Sequence, residues 1–308
     1  MKILVVGLGA IGGLITALLI RKNLDVKCLV KSSSLGKYFN RTLYLDSQYY
    51  GQLQVSPNVI SEADEEFDLI IISLKSYGLK ESLEKFRLGV GSNTIILSLL
   101  NGLGNREILQ SLLKGKILIG TIGHIECYQS NENKIIHSNV NPPRIEIGIT
   151  DGFSHSKIEE ISNLLQEIGI KAETLPNENE VVWRKLVRLA TLSAVGAATN
   201  QCLGEILIME ESAILFRNVL REMIDLAKAN SVILSFDEVY NQISKFDPNL
   251  ITSFHRDLLV SKESEIHSII ELPLILGEKL GVKMNSLNQC YLQIISKYSF
   301  REEKIKLL

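Results

Sequence analysis

Cysteine is scarce in this sequence: Cys28, Cys127, Cys202 and Cys290 lie far apart, with no C-x-x-C pair. No nearby histidine completes a metal-ligand set with them, so the four read as reduced, mostly packed thiols. The histidines, His124, His137, His155, His255 and His267, are equally scattered and form no H-E-x-x-H cluster, so no metal is expected. Net charge is nearly absent too. A formal value of −2 gives no global attraction to nucleic acid or to an anionic membrane, so neither is an expected partner and any anionic ligand must be drawn by a local arrangement of charge. There is no internal repeat and no low-complexity segment.

What is present is enough apolar sequence for a substantial core: 308 residues, 45% hydrophobic and 22% charged, long enough for two domains. The charge-free run ILVVGLGAIGGLITALLI, from Ile3 to Ile20, raises the alternative of a signal peptide or a short membrane span. Against it stand the glycines Gly7, Gly9, Gly12 and Gly13, the lack of an A-x-A cleavage site, and the strand-like LDVKCLVK that follows. The expected location is the cytoplasm.

The first half alternates β-branched runs with helical stretches, as a doubly wound α/β sheet requires. KILVV reads as a strand, AIGGLITALLIRKN as a helix and DVKCLV as a strand. After a less regular region with room for a β-excursion (TLYLD, QLQVS) come FDLIIISL, YGLKESLEKF, NTIILSLL, NREILQSLL and KILIGTI. Continuous apolar runs such as LIIISL suit strands covered on both faces. Beyond Ile119 the pattern predicts antiparallel strands at NKIIHS and RIEIGI, a helix around SKIEEISNLLQEIG and a short strand KAETL. PNENE, from Pro176, reads as a linker or helix entry. The segments that follow have helical period: EVVWRKLVRLATLSAVGAATN, ESAILFRNVLREMIDLAKAN, FDEVYNQISKF, SFHRDLLVSKESEIHSIIELPLILGEKLG and SLNQCYLQIISKYSF. REEKIKLL reads as a solvated end. The expected organisation is an α/β Rossmann-type domain over residues 1–176 and an all-helical domain over 177–308, the latter able to support a homodimer.

VVGLGAIGG sets Gly7, Gly9 and Gly12 in G-x-G-x-x-G register between a strand and a helix. Gly7 permits the tight turn, Gly9 lets backbone approach a pyrophosphate, and Gly12 allows close helix–strand packing. Leu8, Ala10 and Ile11 complete the loop, and the amides at the helix N-terminus bind the phosphates. At the end of the second strand, where an NAD enzyme usually carries an acid for the ribose hydroxyls, stands Lys31, followed by three serines. A cation with hydroxyl donors suits a 2′-phosphate, which favours NADP(H) over NAD(H). Lys75 and Asn101 each follow an apolar strand, and ligands of open α/β sheets bind beyond the carboxyl ends of strands. Each also has an ordinary alternative: a solvated lysine in a turn or a polar loop residue.

With GLGAIG at the start, Lys31, LK at 74–75, NGLG at 101–104, WRKL at 183–186 and TSFHRD…SEI from Thr252 to Ile266, the chain resembles the ketopantoate (2-dehydropantoate) 2-reductase family over nearly its whole length. The resemblance implies NADPH-dependent reduction of a 2-oxo acid to the 2-hydroxy acid, with substrate in the cleft between a Rossmann and a helical domain. It implies that Lys185 is the catalytic acid and that Glu265 helps bind the substrate hydroxyl and the lysine's surroundings. Asn101 would sit by nicotinamide and substrate, and Ser253 would contact the substrate carboxylate.

Hydride arriving at a ketone carbon leaves developing charge on oxygen, so such a site needs a positioned proton donor or cation, and Lys185 supplies either. Without the resemblance, Lys185 reads as a snorkelling helix residue and Glu265 as a solvated acid. The sequence also departs from the family pattern. Asparagines expected at i+4 and i+8 from the lysine are Leu189 and Ser193, and a third, three residues before Ser253, is Leu250. Ser193 is retained as a candidate substrate contact. Losing an amide partner for a hydroxyl-bearing substrate costs about 1–3 kcal/mol, so ketopantoate competes with a more apolar 2-oxo acid as the expected substrate. Two further readings remain open: an NADP(H)-binding regulator without efficient chemistry, and a reductase of an imine or another carbonyl.

Overall fold

The computed structural model describes residues 1–123, 125–130, 133–150 and 152–298. It divides into two compact units, Met1–Val182 and Trp183–Leu308. The expected REEKIKLL end and His124 lie outside the described residues.

The first unit is built on strands β1 (Lys2–Val6), β2 (Asp25–Leu29), β3 (Leu43–Ser47), β4 (Gly51–Val55), β5 (Asn58–Ile60), β6 (Leu69–Ile72), β7 (Ile95–Ser98), β8 (Lys116–Gly123), β9 (Cys127–Gln129), β10 (Lys134–His137), β11 (Arg144–Gly148) and β12 (Lys171–Leu175). The main sheet has the order β12-β11-β8-β7-β6-β1-β2-β5. It is parallel from β5 to β8, while β11 runs antiparallel to β8. Side chains of β1 alternate between two cores: Ile3 and Val5 join one, Leu4 and Val6 the other. That two-sided burial is why these strands read as continuous apolar runs.

The charge-free run of Ile3 to Ile20 forms β1, a glycine turn and helix α1 (Ala10–Arg21). No helix among the described residues is long and apolar enough to cross a membrane. α1 is apolar nearly all round because the main sheet covers one side and a second sheet, ordered β4-β3-β10-β9, covers the other. Gly13 belongs to that packing: a Cβ there would press on Ile135 Cδ1 at 2.8 Å. The expected β-excursion is therefore half of a separate sheet. NKIIHS and RIEIGI are each antiparallel to a neighbour, as expected, but in different sheets. As β10 the first pairs antiparallel with β9 and parallel with β3, across a long sequence separation, while β11 joins the main sheet antiparallel to β8.

The unit's other helices are α2 (Ser32–Tyr38), α3 (Leu79–Phe86), α4 (Asn105–Leu112) and α5 (His155–Glu167). Helix α6 (Glu178–Thr199) starts within it: Asn177 Oδ1 accepts from the Glu180 amide at 2.8 Å, so PNENE is a helix entry. Glu178 pairs with Arg106 of α4 and accepts from the Thr150 hydroxyl at 3.1 Å. The two units part at Val182 and Trp183, inside α6, whereas the sequence places the boundary at residues 176 and 177.

Among the described residues the second unit carries helices and no strand: the rest of α6, then α7 (Leu203–Ile208), α8 (Glu210–Ala229), α9 (Phe236–Ile243), α10 (Ser253–Leu259), α11 (Leu272–Leu280) and α12 (Asn285–Lys297). Ala213, Phe216, Leu220, Met223 and Ala227 form the buried stripe of α8 at helical spacing. From the same helix, the Glu222 carboxylate accepts from the amides of Ser286 and Leu287 at 2.7 and 2.8 Å and so caps α12. The long helical pattern from Ser253 to Gly281 is not one helix. It breaks after Leu259, where Ser261 takes a left-handed φ of 52°. It resumes with a π-helical turn at His267–Glu271. Pro273 has no amide to give Ile269, and a widened turn just before it accommodates that loss.

Two buried histidines make the fold pH-sensitive. Burial pushes His137 below the ordinary value of 6.5, and its Nδ1 lies 2.8 Å from Ser47 Oγ. His255 is pushed down by burial and then by Lys297, with Nε2 at 3.3 Å from Asn200 Oδ1. Both favour the neutral ring in the folded state, so below pH 6.5 the unfolded chain binds more protons. Their contribution is present above pH 6.5 and is lost as pH falls below it. Urea unfolding at pH 7.5 and 5.5 should show lower stability at the acid value, and His137→Asn should flatten that dependence. An unchanged slope in the variant would remove His137 from the account.

Candidate functional site

In the first unit, the sheet register gathers the expected residues at one edge. Val6 pairs with Leu29 and with Ile72, and Ile72 with Ser98, so β1, β2, β6 and β7 end level. Gly7 follows β1 directly, Lys31 follows β2, Lys75 follows β6 and Asn101 follows β7, all at the carboxyl ends where the strand order reverses around β1.

The glycine turn has the geometry its spacing predicts. Gly7 is left-handed at φ 93°, and a Cβ there would lie 3.0 Å from Leu74 Cβ. At Gly12 a Cβ would overlap the Gly7 carbonyl oxygen and stand 2.5 Å from Ser73 Oγ. Gly9, the N-cap of α1 at φ −81°, differs: a Cβ built there meets nothing within 4 Å. The first turn of α1 carries no acid. Its first-turn amides, among them those of Ala10, Ile11 and Gly12, are of the kind that no intrahelical acceptor satisfies. The open position at Gly9, beside such amides, fits close approach of a pyrophosphate.

Other side chains brace this turn, and sequence reading missed them. Ser73 Oγ donates to the carbonyls of Val6 and Gly7, both at 3.2 Å. Gln129 Nε2 donates to Tyr38 Oη at 2.8 Å, and Tyr38 Oη donates to the buried Leu8 carbonyl at 3.1 Å. Asn105 Nδ2 donates to the Asn101 carbonyl at 2.9 Å, which holds the NGLG loop with Gly102 and Gly104 both left-handed. Except for Asn105 and Asn101, four residues apart, these partners are distant in sequence and only the folded chain brings them together. Lys31 is exposed and its Nζ lies 2.7 Å from Glu81 Oε2, a partner with no sequence signal.

In the second unit, Lys185 lies on α6 and is half-buried, between Trp183 at 3% and Leu186 at 1% exposure. Glu265 is not the solvated acid its segment SKESEI suggests. It is 2% exposed, in the stretch leading into the π-helical turn, where its carbonyl accepts from the Ser268 hydroxyl at 3.3 Å and the Ile269 amide at 3.0 Å. A carboxyl taken that far from water needs polar partners. Ser193 is fully buried, and its hydroxyl donates to Thr252 Oγ1 at 3.1 Å. Thr252 caps α10 by accepting from the His255 amide at 3.3 Å, so Ser193 is tied to the segment that carries Ser253. Leu189 and Ser253 are half-buried, and the Leu250 carbonyl accepts from the Leu203 amide at 3.1 Å. Thr252 just before a helical run was a readable N-cap signal.

A parallel sheet with a glycine turn at its switch point defines the first unit as a dinucleotide-binding α/β domain, here followed by a helical unit. Comparison with known families then places it. The model for "Ketopantoate reductase PanE/ApbA" matches residues 3–152, and that for its C-terminal part matches residues 177–298. The chain belongs to the ketopantoate reductase family, a family of NAD(P)-dependent oxidoreductases. It is 26% identical over 296 residues to the 2-dehydropantoate 2-reductase of Aquifex aeolicus, 92% of each chain being covered. A 2-dehydropantoate 2-reductase structure from Geobacter metallireducens shares the fold at TM-score 0.87 and 24% identity, over 96% of this chain and 99% of that one. So does a D-mandelate dehydrogenase in ternary complex with NADH and anilino(oxo)acetate, at TM-score 0.86 and 20% identity, over 96% and 98%.

Proposed function

We propose that this protein reduces a 2-oxo acid to the 2-hydroxy acid with NADPH, the substrate being ketopantoate or a more apolar relative. The observation that carries this reading is a half-buried lysine, Lys185, between buried Trp183 and Leu186, in a unit that also buries the carboxyl of Glu265. NADPH, when bound, supplies the hydride that reaches the carbonyl carbon of the substrate.

The chain's own residues do the rest. Lys185 Nζ donates a proton to the carbonyl oxygen as charge develops there. Glu265 orients the ammonium and, where the substrate carries a hydroxyl, accepts from it. Asn101, at the end of β7, orients substrate beside the nicotinamide. Ser253 receives the carboxylate, and Ser193 supports it by fixing Thr252 at the head of α10. Gly7, Leu8, Gly9, Ala10, Ile11 and Gly12 supply the pyrophosphate turn, with Lys75 beside it, and Lys31 meets the 2′-phosphate. The reading extends to a cytoplasmic homodimer: free thiols fit a reducing compartment, and α12 exposes Leu292 and Ile295.

Leu189 and Leu250 stand where amides would bind a hydroxyl-bearing substrate, which favours an apolar side chain on the 2-oxo acid. NADPH consumption with ketopantoate and with 2-oxo acids of similar size lacking its hydroxyl should give a kcat/KM at least about tenfold higher for the apolar compounds. A clear preference for ketopantoate would overturn the assignment to Leu189 and leave the reductase reading in place.

A further inference from the structure

Lys31 meets an acid from the neighbouring crossover. Its Nζ lies 2.7 Å from Glu81 Oε2, with the two side chains 56% and 66% exposed. Glu81 belongs to the first turn of α3, reached from β6 through Lys75 and a short 3-10 turn at Ser76–Gly78. The residue that follows β2 and the helix that follows β6 thus deliver opposite charges to one spot at the carboxyl edge of the sheet.

We infer that Glu81 is a specificity-determining residue for the cofactor: it competes with a 2′-phosphate for Lys31 and accepts the ribose 2′-hydroxyl when that phosphate is absent. This rests on the proposed role of Lys31 at the 2′-phosphate. Dinucleotide enzymes that take NAD usually place an acid at the ribose hydroxyls, and those that take NADP a base. Here each charge comes from a different element, and the two are already paired.

An ammonium has three donors and can hold carboxylate and phosphate together. Doing so brings the phosphate within about 5 Å of the carboxylate, and like charges at that range near a surface oppose binding by about tenfold. A 2′-hydroxyl meets no such opposition and donates to the carboxylate. The chain therefore discriminates between NADPH and NADH less than Lys31 alone would make it. Because exposed ion pairs add little stability, neutralising Glu81 leaves the fold intact.

The test is calorimetric titration of the full-length chain with NADPH and with NADH, for the wild type, Glu81→Gln and Lys31→Ala. Glu81→Gln should raise the ratio of NADPH to NADH affinity about tenfold, and Lys31→Ala should lower it. If Lys31→Ala lowers the ratio while Glu81→Gln leaves it within about twofold or lowers it, Glu81 is not a determinant and the role of Lys31 stands. If neither substitution moves the ratio, the 2′-phosphate reading falls and the inference with it.

Discussion

Lys185→Ala is expected to lower kcat by about 10²- to 10⁴-fold while leaving NADPH affinity within about twofold, the signature of a lost general acid. The side chain is half-buried on α6 between buried Trp183 and Leu186, and it is the group from which the proposed reaction draws its proton. Lys185→Arg separates two roles. A guanidinium keeps the charge but does not release a proton near neutral pH, so an arginine that restored turnover would mean electrostatic stabilisation alone. Full activity in Lys185→Ala would remove the residue from the chemistry. Stopped-flow single turnovers with a saturating 2-oxo acid would measure it directly.

Gly9 and Gly12 should respond to alanine in opposite ways. At Gly12 the new methyl meets the Gly7 carbonyl oxygen and Ser73 Oγ, so backbone must move. The expected cost is about 1–3 kcal/mol of stability, together with loss of cofactor binding. At Gly9 the methyl has open space and an ordinary φ, so stability should stay within about 0.5 kcal/mol. NADPH affinity should nonetheless fall by about tenfold or more, because the pyrophosphate needs backbone to approach there. Urea unfolding and calorimetry on the same two variants make the comparison. A Gly9→Ala protein that bound NADPH normally would place the phosphates elsewhere.

The alternation of strand and helix in the first unit was readable because the central parallel strands β1, β6 and β7 are apolar on both faces. The G-x-G-x-x-G turn was readable because its determinants are contiguous. The second sheet was not readable as such. Its β3–β10 pairing sets Tyr44 beside Lys134, and only α1, apolar on all sides, hinted that something covered its outer face. The break at Ser261 and the π-helical turn before Pro273 escaped because helical period persists across them. Glu265 shows the limit most plainly: SKESEI looks solvated, and tertiary packing alone buries its acid. Among the candidate residues, Lys31 stood out in the sequence and its ion-pair partner Glu81 did not, since nothing local joins the residue after β2 to the first turn of α3.

In the proposed reaction hydride passes from the nicotinamide to C2 of a 2-oxo acid while Lys185 protonates the oxygen. Incubating the protein with NADPH deuterated at the transferable C4 position and a 2-oxo acid tests it most directly. Mass spectrometry should find one deuterium at C2 of the 2-hydroxy acid product, formed in proportion to NADPH consumed and about 10²- to 10⁴-fold more slowly by Lys185→Ala. Tight binding of NADPH with no labelled product from any 2-oxo acid would contradict it, and would mark the protein as a cofactor-binding regulator.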